Sequence, residues 1–137
     1  MLYAVDSKMK YDIRLLKQEE YSLLDDLAKD AQANFTPFID SEYLAARNGN
    51  PRLLGAIAFY TQGRHPSFQH LILSKTAPRK LGVILIKKLE SLLRERGFSL
   101  YCVYVENKRN WLQQIALKFG YTPYNQDTDG VWFMKRI

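Results

Sequence analysis

The stretch from Ser67 to Gly97 constrains this chain more than any other part of it. Phe68, His70 and Ile72 alternate with Gln69, Leu71 and Leu73, the period of two that marks a strand over Ser67–Leu73. A short basic segment follows, with Lys75, Arg79 and Lys80. Then Leu81, Leu85, Leu89 and Leu92 recur at helical spacing, which predicts a helix over Gly82–Arg96 with Gly97 as its C-terminal stop. A second β-rich run, Phe98–Val105, comes directly afterwards. Strand, long helix and strand in that order form a crossover, so neither an all-helical nor an all-β fold accommodates the sequence.

The flanking segments fill in the rest. Tyr11, Ile13 and Leu15 read as a first strand, and the nine residues before Lys10 as an edge strand or a loose lead-in. Over residues 18–33 the apolar positions Leu23, Leu24, Leu27, Ala28 and Ala31 have helical spacing, with Asp25, Asp26, Lys29 and Asp30 on the water side. A second, short helix is expected from an Asp40 or Ser41 cap through Arg47, closed by Asn48-Gly49-Asn50-Pro51. Arg52–Tyr60 is a strand, and Thr61–Pro66 turns it into Ser67–Leu73. Asn110-Trp111-Leu112-Gln113 is an asparagine version of a capping box, opening a helix that ends at Gly120. Tyr121–Tyr124 and Val131–Arg136 flank Asp129-Gly130 as a hairpin with a six-residue loop. The order β-α-α-β-β-α-β-α-β-β gives a mixed α/β fold, with helices on both faces of one sheet.

With 137 residues, 47% hydrophobic and 13% aromatic, the chain has the length of one domain, 1–137, and enough apolar surface for a core. No apolar run approaches the roughly 18–20 residues of a membrane span. Asp6, Lys8 and Lys10 interrupt any secretory segment at the start. The single cysteine, Cys102, excludes an internal disulfide and points to a reducing cytoplasm; mid-strand, it reads as a small core residue. Two histidines and one cysteine give no metal-ligand spacing. The net charge is +6, and most of it lies between Ser74 and Arg96, where seven bases stand against two acids. Such a segment suits an anionic partner.

The start of the predicted long helix is where that anion would sit. A helix N-terminus carries unpaired N–H groups and a partial positive charge, and Lys75, Arg79 and Lys80 reinforce both. The Gly-x4-Gly-Lys-Ser/Thr phosphate loop is absent, and a single glycine makes no dinucleotide fingerprint.

Residues Ser74-Lys75-Thr76-Ala77-Pro78-Arg79-Lys80-Leu81-Gly82, leading into the helix that ends at Gly97, together with Tyr104-Val105-Glu106-Asn107 and Lys118-Phe119-Gly120-Tyr121, resemble the GNAT family of acyl-CoA-dependent N-acetyltransferases. The likeness is specific over residues 68–122 and generic over 11–60. It implies a mixed, mostly antiparallel sheet, acetyl-CoA as co-substrate, and transfer of its acetyl group to an amine by direct attack. It also implies that the pyrophosphate arm lies on Leu73, Lys75, Arg79, Lys80, Leu81, Gly82 and Val83, and the pantetheine on Asn107 or Asn110. The pattern departs from the family's Gln/Arg-x-x-Gly-x-Gly/Ala: Ala77 stands at the Gln/Arg position and Lys80 at the first glycine. Ala116 stands where the family has its proposed general-acid tyrosine, and Arg109 where it has an asparagine.

Within that reading His70, just before the loop, is the expected general base, since its ordinary pKa is about 6.5. Tyr104 and Tyr121 are the expected acids. Asp40 and Glu42, in the segment Thr36–Tyr43, would attract a cationic amine, and Trp111, Phe119 and Trp132 read as core or groove wall. A catalytically degenerate CoA-binding or regulatory module is the main alternative, consistent with Ala77, Lys80 and Ala116. Nucleic-acid binding through the 74–96 segment ranks last, because no aromatics interleave its bases. A homodimer through the exposed edge of the C-terminal hairpin is a further expectation.

Overall fold

Hydrophobic period sets most of the elements, and packing decides the exceptions. The computed structural model describes residues 11–33, 40–49 and 51–137; the lead-in before Lys10 and the first half of the segment 36–43 lie outside them. The strands are β1 (Asp12–Leu15), β2 (Glu42–Arg47), β3 (Gly55–Tyr60), β4 (Ser67–Leu73), β5 (Leu100–Glu106), β6 (Thr122–Gln126) and β7 (Gly130–Arg136). The helices are α1 (Ser22–Asp30), α2 (Lys80–Glu95) and α3 (Asn110–Lys118), with single 3-10 turns at Gln18–Glu20 and Asn107–Arg109. Hydrogen bonding orders the strands β1-β2-β3-β4-β5-β7-β6. β4 and β5 are parallel, whereas β1–β2, β5–β7 and β6–β7 are antiparallel. The sheet is thus mixed and mostly antiparallel.

One predicted helix is a strand. Residues 42–47 form β2, paired with β1 from Asp12↔Arg47 to Leu15↔Leu44. Leu44, Ala45 and Ala46 favour a helix intrinsically, but Tyr43 through Ala46 are all buried, and a short amphipathic helix could bury only one face. Tertiary context overrides propensity here.

Contacts group the chain into two compact units, Met1–Ala58 with His70–Leu89, and Phe59–Gln69 with Glu90–Ile137. The first has a core of Leu24, Leu27, Tyr43, Ala45, Leu53, Ala56, Ala58 and Ile72. In the second, Val105, Ala116 and Phe133 pack together, joined by the half-buried Val103, Leu112, Tyr121 and Val131.

The long helix begins two residues earlier than its apolar pattern predicts, at Lys80. Its buried leucines are Leu81, Leu85, Leu89 and Leu93, with Leu93 taking the place expected of Leu92. It ends as expected: Gly97 has φ +91°, Phe98 N–H donates to Leu93 O at 2.9 Å and Gly97 N–H to Arg94 O at 2.9 Å, a Schellman closure. Gly120 closes α3 in the same way, with φ +87° and Tyr121 N–H on Ala116 O at 3.0 Å. α1 uses the same motif without a glycine. Gln32 takes φ +55°, Ala33 N–H donates to Ala28 O at 2.8 Å and Gln32 N–H to Lys29 O at 3.1 Å. A side chain in that conformation costs roughly 1–2 kcal/mol, so Gln32→Gly is expected to raise the thermal midpoint by a few degrees; an unchanged or lower midpoint in a melting curve would refute it.

The capping box at Asn110 does not form. The N-cap is Arg109, without a side-chain bond, and Gln113 turns inward to donate Nε2–H to Val105 O at 3.0 Å and Asn107 Oδ1 at 3.1 Å. A buried strand-end carbonyl needs a donor, and that need outranks the cap. Trp111 and Phe119 are not core: they are 64% and 66% exposed. Trp132 is half-buried beside Tyr104, ring centroids 5.1 Å apart. The hairpin loop is shorter than expected, Asp127–Asp129, and Asp127 Oδ1 accepts the amides of Asp129 and Gly130 at 2.8 and 2.9 Å.

Candidate anion site at the start of the long helix

The first unit builds the loop between β4 and α2 around one carboxylate. Asp30 is the last residue of α1, where the helix dipole disfavours an acid, so it recruits donors from elsewhere. Ser74 Oγ donates to Asp30 Oδ2 at 2.5 Å and Lys75 N–H donates to the same oxygen at 3.0 Å. Ser74 Oγ also meets Thr76 Oγ1 at 3.1 Å and accepts Thr76 N–H at 3.3 Å. The Ser74 hydroxyl, then the Lys75 amide, hold the Asp30 carboxyl below the usual aspartate range. Asp30 is therefore a brace for the loop, not part of the solvated face that its helical spacing suggests; Asp25, Asp26 and Lys29 are exposed as expected.

The loop amides divide cleanly. Ala77 N–H returns to Ser74 O at 3.0 Å, Leu81 N–H to Pro78 O at 3.0 Å and Gly82 N–H to Arg79 O at 3.1 Å. Pro78 has no N–H. Among the described residues the backbone N–H groups of Arg79 and Lys80 have no acceptor. These are the first donors of a 16-residue helix with no acid in its first turn, and the Lys75, Arg79 and Lys80 side chains are exposed around them. Two open amides and three exposed cations are the groups that a multiply charged anion such as a pyrophosphate would require.

The other residues expected to hold the arm play different parts. Leu81 is fully buried, and Leu73 is half-buried at the end of β4. Gly82 is buried, and a Cβ there would lie 3.2 Å from Leu71 Cδ2 and 3.6 Å from Leu73 Cδ1. It lets the first turn of α2 lie close against the end of β4. Val83 is 52% exposed. His70 is an exposed residue of β4. Asp40 is exposed just before β2, and Glu42 is half-buried as its first residue.

In the second unit the two candidate acids have committed protons. Tyr104 Oη–H donates to Asp127 Oδ1 at 2.8 Å, and burial and that carboxylate push its pKa up to about 12. Gly130 makes this geometry available, because a Cβ there would lie 2.6 Å from Tyr104 Cζ. Tyr101 Oη–H donates to Glu90 Oε2 at 2.8 Å and is also hydrogen-bonded to Tyr121 Oη. A phenol has one proton; Tyr101 gives its own to Glu90, so Tyr121 gives its own to Tyr101. Burial raises Tyr121 as well. Asn107 is similarly engaged: Nδ2–H donates to Thr128 O at 3.3 Å and Oδ1 receives Gln113. Asn110 is exposed at the start of α3. The Asp30 brace escaped the sequence reading because nothing local links it to Ser74, 44 positions away.

Among the described residues no group of His, Cys, Asp and Glu could hold a metal, and no helix is long and apolar enough to cross a membrane. No protein-family model matches the chain, and no curated protein matches it in sequence. Solved structures match it closely in fold. A PaiA N-acetyltransferase from Thermoplasma acidophilum in complex with coenzyme A superposes with a TM-score of 0.74 at 17% identity, covering 94% of this chain and 100% of that one. The ribosomal-protein-S18-alanine N-acetyltransferase of Escherichia coli gives 0.76 at 12% identity, over 93% of this chain and 94% of its own. A GNAT family acetyltransferase from Elizabethkingia anophelis with acetyl-CoA bound gives 0.64 at 9%, over 93% and 98%. The chain has the GNAT fold.

Proposed function

We propose that this chain is a divergent GNAT-family N-acetyltransferase that takes an acetyl group from acetyl-CoA and delivers it to an amine by direct attack. The observation that carries the reading is the pair of open amides at Arg79 and Lys80, ringed by Lys75 and the two side chains themselves. They stand at the loop where the sequence resembles the family's pyrophosphate motif, on a fold shared with proteins solved with coenzyme A or acetyl-CoA bound. The residues present fit that group despite Lys80 replacing a glycine. The Lys80 amide remains open and its ammonium adds charge, while Gly82 keeps the close approach of helix to strand. When bound, acetyl-CoA supplies a thioester whose carbonyl carbon an amine can attack.

The chain's own part is binding and proton handling. Lys75, Arg79 and Lys80 neutralise the phosphates, and Asp30 fixes the loop that presents them. His70 is the base that takes a proton from the amine, whose lone pair forms the new C–N bond as the C–S bond breaks and the CoA thiolate leaves to be protonated by solvent. Tyr104 and Tyr121 do not serve as acids in this proposal, since each already donates its proton within the fold.

Thermal unfolding with acetyl-CoA, CoA and ATP tests the reading. Ligand at about 100 times its Kd adds roughly 2.7 kcal/mol, an increase of several degrees in the midpoint. A shift with both CoA forms and little with ATP is expected; no shift at millimolar ligand would sink the proposal. The committed phenols favour one rival, a CoA-binding module without catalysis. A shift without release of free thiol across a panel of amines would select it.

A further inference from the structure

We infer that the outer face of α3 is a self-association surface, on which two copies of this chain pair antiparallel about a two-fold axis through Ile115. Trp111, Ile115 and Phe119, one turn apart in succession, are 64%, 39% and 66% exposed. They form one stripe along the helix and its C-cap residue Phe119, on the side away from the buried Gln113. From Asn110 to Leu117 there is no charged residue, in a chain that is 25% charged. Aromatic enrichment with charge depletion at the centre and cations at the ends is the composition of an interface core and its rim.

The pattern selects a second copy as the occupant. A two-fold interface requires a patch complementary to itself, and aromatic–isoleucine–aromatic reads the same in both directions. Pairing Ile115 with Ile115 of the other copy sets Trp111 against Phe119 and Lys118 against Leu112, so no cation of the rim faces another.

The three side chains together expose on the order of 350 Å². With the flanking Gln114 and Lys118, the pair would bury about 1,000 Å² in total, the lower limit of a specific interface, so the dimer is weak and concentration-dependent. The sheet edge is the poorer route. β6 is the terminal strand on the hairpin side of the sheet, but it carries Pro123 and a register shift between Pro123 and Asn125, and both devices discourage strand addition.

Sedimentation equilibrium over a concentration series tests the placement. The wild type is expected to rise toward twice the chain mass. Ile115→Lys and Ile115→Glu, each placing a like charge against itself at the axis, are expected to remain monomeric with thermal midpoints close to wild type. An equimolar mixture of the two is expected to associate again, because only there do opposite charges meet. A monomeric wild type at every concentration overturns the inference. So does association of either variant alone, or failure of the mixture to recover.

Discussion

Glu90→Ala is expected to lower stability by about 3–5 kcal/mol. Glu90 is 7% exposed, and its Oε2 accepts both Tyr101 Oη–H and Lys135 Nζ–H at 2.8 Å. Tyr101 is fully buried, so truncation leaves the Tyr101 and Tyr121 hydroxyls sharing the one hydrogen bond between them and the Lys135 ammonium without its counter-charge. The Lys135 side chain is 27% exposed and can turn partly to water, which places the loss toward the lower figure, a fall of roughly 10 °C in the midpoint. Arg94, 4.0 Å away and 52% exposed, adds little. By contrast the Arg14–Asp12 pair is as short, at 2.7 Å, but 74% and 48% exposed, so removing Asp12 should change stability by less than about 1 kcal/mol.

The same network sets an alkaline limit. Burial above all, then the adjacent Tyr121 hydroxyl, raises Tyr101 far beyond the ordinary phenol range, and burial raises Tyr121. A folded pKa above the unfolded one means stability is fully present below about pH 10 and is lost as pH rises toward the folded values. Phenolate absorbance from these two rings should therefore appear with unfolding rather than before it. Their early titration in a folded protein, or a Glu90→Ala midpoint within a degree of wild type, would contradict the account.

The contrast between what the sequence predicts and what the fold adds follows from range. The strand Ser67–Leu73 is read to the residue, and Gly97 and Gly120 mark the helix ends, because period and positive φ are local signals. β2 is not legible: Leu44-Ala45-Ala46 has no local reason to be extended, and its place in the sheet between β1 and β3 makes it so. Gln113 looks like half of a capping box until the Val105 carbonyl claims it. At the candidate site the cations and the helix start are legible from spacing alone. The Asp30 brace and the committed protons of Tyr104 and Tyr121 are not, since each depends on a partner at least 20 residues away.

Gly55→Val tests whether the anion loop depends on the strand behind it. A Cβ at Gly55 would lie 2.9 Å from Leu73 Cδ2, 3.2 Å from Leu81 Cδ2 and 3.3 Å from Ile72 O. Alanine can be admitted by turning the two leucine ends aside, whereas the branched valine presses on them and on a backbone oxygen. Overpacking of this kind costs about 1–3 kcal/mol, with valine near the upper figure and alanine near the lower. Leu73 ends β4 and Leu81 anchors the first turn of α2, so their displacement moves the Arg79 and Lys80 amides relative to the Ser74–Asp30 brace. Gly55→Val is therefore expected to lose most of the acetyl-CoA-induced rise in midpoint as well as intrinsic stability, and Gly55→Ala to keep the rise. A valine variant that is destabilised yet retains the full rise would show that the loop holds its shape independently of β3. The two open amides would then be fixed by Asp30 and Ser74 alone.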